Sequence, residues 1–367
     1  MDSEIYVTRV TLPTLDEYVE EIRSLFSTYR ITNMGEKYEQ LTALAKKKLD
    51  VENLVLLSNG HMSLELLLQA MKLKGEIITT PFTFASTTHA IVRSGATPVF
   101  SDILEDKYTL DPEKIEDLIT DKTCAILPVH VYGNVCDVEK IEAIAKKHNL
   151  KVIYDAAHSF GVSYKGKGIG NYGDAAIFSF HATKVFTSIE GGAVAVRDKE
   201  LADAIRLLSN FGISKEAEIV SVGTNAKMNE FEAAMGICNL RHFEESIGER
   251  EQLWKQYQDE LYGIPGIVCP VRPKDAVYNY AYFPIRVVED EYGTDRDGLV
   301  DRLRQKSIYP RRYFYPLTSD YKCYEGKFAP GSTPVARRIA QEILTLPLYP
   351  GLGSEQVSRI SGIIKNK

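Results

Sequence analysis

The chain has 367 residues, with 44 Lys plus Arg against 50 Asp plus Glu and a formal net charge of -6. At roughly 150 residues per domain this is about two domains, or one large α/β domain with an appendage. An apolar content of 44% and a charged content of 26% exclude wholesale disorder and collagen-like order. No apolar run approaches the roughly 20 residues of a membrane helix, and no basic block favours nucleic acid. Met1-Asp2-Ser3-Glu4 is acidic where a secretory signal is basic and then apolar. Cys124, Cys136, Cys238, Cys269 and Cys323 are odd in number and scattered, which suits a reducing cytoplasm better than a disulfide framework.

In chain order, helical spacing comes first, in Leu15, Tyr18, Ile22, Leu25 and Phe26 and again in Tyr38, Leu41, Leu44, Ala45 and Leu49. Short β-type runs follow at 54–57, 77–80, 97–100, 125–131, 152–155, 175–180 and 193–196, with helical patterns such as 63–73 and 138–148 between them. Strands apolar on both faces and separated by helices predict an α/β fold with a buried, mostly parallel sheet. A long helical pattern over 225–262 ends at Gly263-Ile264-Pro265-Gly266. A strand region at 280–288 and helices near 297–305, 334–344 and 354–364 complete the chain. The expected division is 1–245 and 246–367.

The segment Val152-Ile153-Tyr154-Asp155 ends an apolar run, and Ser179 and Lys184 follow the next one. Ligands of open α/β sheets bind outside the carboxyl ends of strands, so these side chains can converge on one crevice. A lysine and a carboxylate there suit pyridoxal phosphate: the amine forms an imine with the aldehyde, and the carboxylate keeps the pyridine nitrogen protonated. Taken singly, Asp155 reads as a cap of the next segment and Lys184 as a solvated loop lysine. Ser58-Asn59-Gly60-His61-Met62-Ser63 ends a strand and opens a helix, where free N–H groups can cradle a phosphate. It is also an ordinary capped turn. Phe82 or Phe84 can stack on a flat ring or belong to the core.

Together, Ser58–Leu64, Thr80–Ser86, Gly95–Phe100, Leu127–Gly133, Asp155–Gly161, Ser179–Lys184, Glu190–Gly192, Gly223–Gly236 and Leu346–Pro350 resemble, in order, the pyridoxal-phosphate-dependent nucleotide-sugar aminotransferases. That resemblance implies the fold type I architecture of the aspartate aminotransferase superfamily. A large cofactor-binding domain with a mostly parallel seven-stranded sheet between helices then carries a smaller C-terminal α+β domain. It also implies that Lys184 holds the cofactor and moves the proton, that Asp155 pairs with the pyridinium and that His158 lies near the phenolic oxygen. Ser179 and the amides of His61 and Met62 would bind phosphate, Phe84 would stack on the ring, and Asn225 would reach the phosphate of a neighbouring subunit in a homodimer. The His61 side chain departs from the small hydroxyl residue usual at its position.

Tyr309-Pro310-Arg311-Arg312-Tyr313-Phe314-Tyr315-Pro316 matches the family's nucleotide-sugar region, making Arg312, Tyr313 and Tyr315 candidates for the diphosphate and its sugar. An edge strand with solvated arginines is the plainer reading. Gly166–Gly170 reads as a turn, and the seven histidines show no metal spacing. The implied activity is amination of a dTDP-linked keto-6-deoxysugar by L-glutamate, with pyridoxamine phosphate as the half-reaction form. Enzymes forming dTDP-4-amino-4,6-dideoxy-D-glucose give the best overall resemblance. Amination at C3 and a non-catalytic regulator are the alternatives; family dehydratases carry histidine where Lys184 stands.

Overall fold

The computed structural model describes residues 4–329 and 331–366. Its centre is a seven-stranded sheet in the order 53–57, 192–196, 175–179, 151–155, 123–127, 76–79, 97–100. All neighbours are parallel except Gly192–Val196, which runs against the strand on each side of it. Each of the seven runs expected from the sequence is a strand of this sheet, within a few residues at its ends.

The continuous apolar character of these strands reflects burial on both faces. Leu54, Leu56, Ile78, Ile126, Ala176, Phe178, Ala193 and Ala195 enter one core. Val55, Leu57, Ile77, Ala125, Leu127, Ala175, Ile177 and Val194 enter another, as the two-residue period of a strand requires. Helices cover both faces. Among them Gly60–Ala70 and Val138–His148 each start from a side-chain cap, Asn59 on the Met62 amide and Asp137 on the Lys140 amide.

A third core belongs to the C-terminal part. Leu253, Trp254, Tyr257 and Leu261 pack with Phe283, Ile285, Leu299, Leu344, Val357 and Ile360 around an antiparallel sheet of 267–268, 283–287 and 343–346. The expected division at residue 245 falls inside the continuous helix Phe243–Leu261. That helix begins with Phe243 in the large core beside Phe160 and ends in the small one. The N-terminal strand Ile5–Tyr6 also lies with the C-terminal part, parallel to Ile308–Tyr309, and Ile5 is in its core.

Two expectations change. The helical pattern over 225–262 holds only from residue 230, as Glu230–Arg241 and Phe243–Leu261, while 225–229 is loop. The pattern over 334–344 ends as a helix at Glu342, and Ile343–Leu346 turns extended to pair with Phe283–Arg286. All four of those residues are β-branched or leucine and fully buried, so sheet pairing overrides the helical period there.

Several polar contacts join the C-terminal part to the large one. The Asp102 carboxylate accepts the Val335 and Ala336 amides at 3.0 and 2.8 Å, capping Pro334–Glu342 from across the junction. Thr88 and Thr318 are linked through their hydroxyls at 2.8 Å, and the Tyr132 hydroxyl donates to the Tyr313 carbonyl. Among the described residues no helix is long and apolar enough to cross a membrane.

Candidate active site

A cavity of about 570 Å³ opens at the carboxyl ends of the parallel strands, lined by both parts of the chain. Asp155 is the last residue of Lys151–Asp155 and Ser179 the last of Ala175–Ser179, and both line it. Lys184 lies in the loop after Ser179. That loop is folded back by the Phe180 amide on the Gly191 carbonyl at 2.8 Å and the Ser188 amide on the Phe180 carbonyl at 3.0 Å. Phe186 anchors it by stacking on Phe160 at 4.2 Å. The lysine is therefore presented by a closed, packed loop.

Asp155 is 5% exposed. Its carboxylate accepts the Thr87 hydroxyl at 2.7 Å and the Ala157 amide at 3.1 Å. Burial pushes this carboxyl above the usual carboxylate range, against the opposing pull of those two donors and of Lys184. Burial likewise lowers the Lys184 amine, Arg311 adds to that, and Tyr313 and Asp155 oppose it. An easily deprotonated amine and an underpaired carboxylate thus share one cavity. Such opposed perturbations mark a site prepared for chemistry.

At one end of the cavity the Gly60–Ala70 helix begins. Its first amides, Gly60 and His61, have no hydrogen-bond partner among the described residues, as at any helix start. A Cβ on Gly60 would lie 2.8 Å from the Ser179 Cβ, and one on Gly192 would lie 2.5 Å from the Asn59 carbonyl carbon. Glycine at both places lets the helix start press against two strand ends and the Ser179 hydroxyl. Met62 departs from expectation. Its amide donates to Asn59 Oδ1 at 2.8 Å and its side chain packs against a core, so Gly60 takes its place beside His61 as a free donor. The His61 ring bridges two helices, with Nδ1 2.9 Å from the Ser86 hydroxyl and Nε2 3.3 Å from the Glu65 carboxylate.

Phe84 lines the cavity and is 54% exposed, whereas Phe82 is fully buried; the sequence had left open which of the two faces a ligand. His158 also lines the cavity. Its Nδ1 accepts the Tyr132 amide at 3.1 Å, which leaves the proton on Nε2, and burial holds the imidazole neutral, well below its usual pKa.

The tyrosine- and arginine-rich segment contributes differently from its sequence reading. Arg311, Tyr313 and Phe314 line the cavity. Arg312 does not: its guanidinium pairs with Asp297 at 2.7 Å. Tyr315 is also outside, its ring beneath the Arg296 guanidinium at 4.8 Å. Backbone pairing of Arg311 with Thr345 sets this register and turns the neighbouring arginine away. Asn225 is exposed, holds Lys227 Nζ at 2.8 Å and does not line the cavity of its own chain. Thr87, Asn59 and Arg311 are the contributors that sequence reasoning missed. Alternation along 309–316 signals that Arg311 and Tyr313 share a side, but it does not say which side faces inward.

Residues 14–365 match the DegT/DnrJ/EryC1/StrS aminotransferase family. The dTDP-4-amino-4,6-dideoxy-D-glucose transaminase of Shigella dysenteriae is 39% identical over 365 residues, spanning 100% of this chain and 99% of that protein. The Escherichia coli transaminase of the same name is 38% identical over 371 residues, with the same coverage. The crystal structure of DesI in the presence of its TDP-sugar product superposes with a TM-score of 0.95 at 32% identity, covering 100% of this chain and 93% of that one. Helicobacter pylori PseC, an aminotransferase of pseudoaminic acid biosynthesis, superposes at 0.93 with 25% identity and 99% coverage of both chains. A lysine and a buried carboxylate at strand ends agree with these full-length likenesses, and the chain belongs to the DegT/DnrJ/EryC1/StrS family as a sugar aminotransferase of the fold type I architecture.

Proposed function

We propose that the protein uses pyridoxal phosphate to move an amino group from L-glutamate to C4 of dTDP-4-keto-6-deoxy-D-glucose, forming dTDP-4-amino-4,6-dideoxy-D-glucose. The observation that carries this reading is the pairing in one cavity of Lys184, its amine made easier to deprotonate by burial, with the buried, underpaired carboxylate of Asp155. The names of the Shigella dysenteriae and Escherichia coli transaminases it is similar to support the substrate.

The residues fit the cofactor. A buried carboxylate with no cation bonded to it among the described residues suits a protonated ring nitrogen, and an exposed aromatic at Phe84 suits a flat ring that covers it. Two free amides at a helix start beside the Ser179 hydroxyl suit a phosphate. Bound there, the cofactor supplies an aldehyde that carries the amino group and an electron sink for the carbon that loses its proton.

The chain's own groups do the rest. Asp155 holds the proton on the ring nitrogen. Lys184 would take the proton from the donor carbon that bears the nitrogen and deliver it on the far side of that nitrogen, and burial, by lowering its pKa, favours the free amine this needs. His158 offers its Nε2–H to the phenolic oxygen. Phe84 closes one face of the ring against water. Asn225 acts on the phosphate of a second copy, in a cytoplasmic homodimer, and the product serves surface-polysaccharide or glycosylated-metabolite synthesis.

The test is to incubate the purified protein with L-glutamate and a panel of nucleotide-linked keto-sugars and to identify products by mass spectrometry and NMR. The expected product carries the amine at C4. Exclusive amination at C3 would replace the assignment, and cofactor binding without turnover of any sugar would favour a regulator.

A further inference from the structure

Arginines of the C-terminal part are neutralised almost everywhere they are found near its junction with the large core. Arg286 meets Glu105 and Glu342, Arg296 and Arg312 share Asp297, Arg337 meets Asp320, and Arg338 meets Glu105. Arg311 has no carboxylate partner among the described residues, and it lines the cavity that holds Lys184. Its position is fixed on both sides. The Arg311 amide donates to the Thr345 carbonyl at 3.2 Å and its carbonyl accepts the Thr345 amide at 2.8 Å. Nη1 donates to the Tyr313 hydroxyl at 2.9 Å, and the guanidinium lies 5.4 Å from the centre of that ring.

A held, uncompensated guanidinium facing a cavity is a site for an anion. Its planar fork keeps a free edge after the bond to Tyr313, and two parallel N–H donors on one edge match the two oxygens of a carboxylate. We propose that Arg311 receives the α-carboxylate of the amino donor, first in glutamate and then in 2-oxoglutarate.

The reading rests on the glutamate-dependent transamination proposed above, and it selects between the two anions that reaction must admit. The α-carboxylate is bonded to the very carbon whose nitrogen is exchanged and whose proton Lys184 handles. The diphosphate of a sugar aminated at C4 lies across the pyranose ring from the reacting carbon. Alongside burial, which is the larger cause, the Arg311 charge helps lower the Lys184 amine, so the two cations are within electrostatic reach. Arg312, turned to Asp297, has no part in this contact. Tyr313 serves as a positioning residue that orients the fork.

The experiment combines a protein change with a substrate change on the cofactor-loaded protein. Arg311→Gln and Arg311→Lys are compared with wild type in single-turnover bleaching of the cofactor band by L-glutamate. Binding of 2-oxoglutarate by calorimetry gives a readout independent of turnover. Each protein is also tested with isoglutamine, which carries an amide in place of the α-carboxylate. Losing one arm of a charged contact raises the half-saturating glutamate concentration by at least about 30-fold in Arg311→Gln, with partial recovery in Arg311→Lys. Isoglutamine should be penalised to a similar degree in wild type and hardly at all in Arg311→Gln, because the two changes remove the same interaction. The keto-sugar half-reaction of pyridoxamine-loaded Arg311→Gln should keep its half-saturation within about 3-fold of wild type.

Independent, additive losses from Arg311→Gln and isoglutamine would overturn the proposal. So would a cycle that closes on glutamine, the γ-amide, or a selective loss of the sugar half-reaction, which would assign Arg311 to the diphosphate. If Arg311→Gln does not fold, a wild-type protein that uses isoglutamine as well as glutamate still refutes it. If wild type fails to react with glutamate at all, the donor assignment fails instead, and the calorimetric arm reports whether Arg311 binds a carboxylate.

Discussion

Asp155→Asn should make the cofactor-free protein more stable while making the enzyme slower. Asp155 is buried, its carboxylate has two hydrogen-bond donors and no bonded cation among the described residues, and burial raises its pKa. A carboxyl whose folded pKa lies above the unfolded value of about 3.9 favours the folded chain when protonated. The penalty is therefore absent below that unfolded value, grows as pH rises above it and is complete once pH exceeds the folded one. Asparagine has the same shape, and its oxygen can accept the Ala157 amide while its NH2 donates to the Thr87 hydroxyl. Removing an underpaired buried charge at pH 8 is then worth about 1–3 kcal/mol. For a chain of this length that is a rise of about 1–4 °C in Tm. The assay is thermal unfolding of cofactor-stripped wild type and Asp155→Asn at pH 8 and pH 5, followed by circular dichroism. The advantage of the variant should shrink toward pH 5, and the same variant should lose orders of magnitude in the glutamate half-reaction. A lower Tm than wild type at pH 8, or an advantage that grows on acidification, would refute the electrostatic reasoning.

Lys184→Ala should lose the visible absorbance of the bound cofactor and nearly all turnover, since the group that binds the aldehyde and the group that moves the proton disappear together; sustained multiple turnover would remove Lys184 from the chemistry. Gly60→Ala puts a methyl group 2.8 Å from the Ser179 Cβ, so the cofactor dissociation constant measured by equilibrium dialysis should rise by about 5–150-fold, an overpacking cost of about 1–3 kcal/mol. Retention equal to wild type would mean that the helix start does not grip the phosphate. Mixing Lys184→Ala with a severely impaired Asn225 variant should restore activity in hybrid dimers, each of which assembles one intact site. Hybrids that form and stay inactive would confine Asn225 to its own subunit.

Much of the site was legible because strand ends are legible. Asp155 and Ser179 each close an apolar run whose two-residue period fixes where the strand stops, and the loops after strands of a parallel sheet meet on one edge. Phe84, His61, His158 and Lys184 follow such ends and line the cavity. Periodicity carries no such information in irregular chain. Residues 308–316 have only a two-residue strand and one isolated bridge, so nothing local told Arg311 from Arg312; the pairing with Thr345 did. The Thr87 contact with Asp155 crosses 68 positions of sequence, and a helical threonine gives no sign of what its hydroxyl meets. Met62 illustrates competition for a donor: an Asn59 cap strong enough to start the helix also consumes one of the amides the helix would otherwise expose. The two-residue strand Ile5–Tyr6 is too short to leave a pattern, and only its pairing reveals where the N-terminal segment lies.

The mixed origin of the cavity wall has a consequence for how the protein assembles. Lys184, Asp155 and Phe84 come from the large part, but Arg311, Tyr313 and Phe314 come from the C-terminal part, held by Thr345 and by the Tyr132 hydroxyl. A large part that folds first would offer the lysine and the helix start beside Ser179 with one side open to solvent, where a newly bound cofactor would be exposed to water and to stray amines. The colour of the bound cofactor would then develop in two stages during refolding, first as it is captured and again as the C-terminal segment seals over it. Followed in time, that second change makes the cofactor an optical clock for the docking of the two halves of the chain.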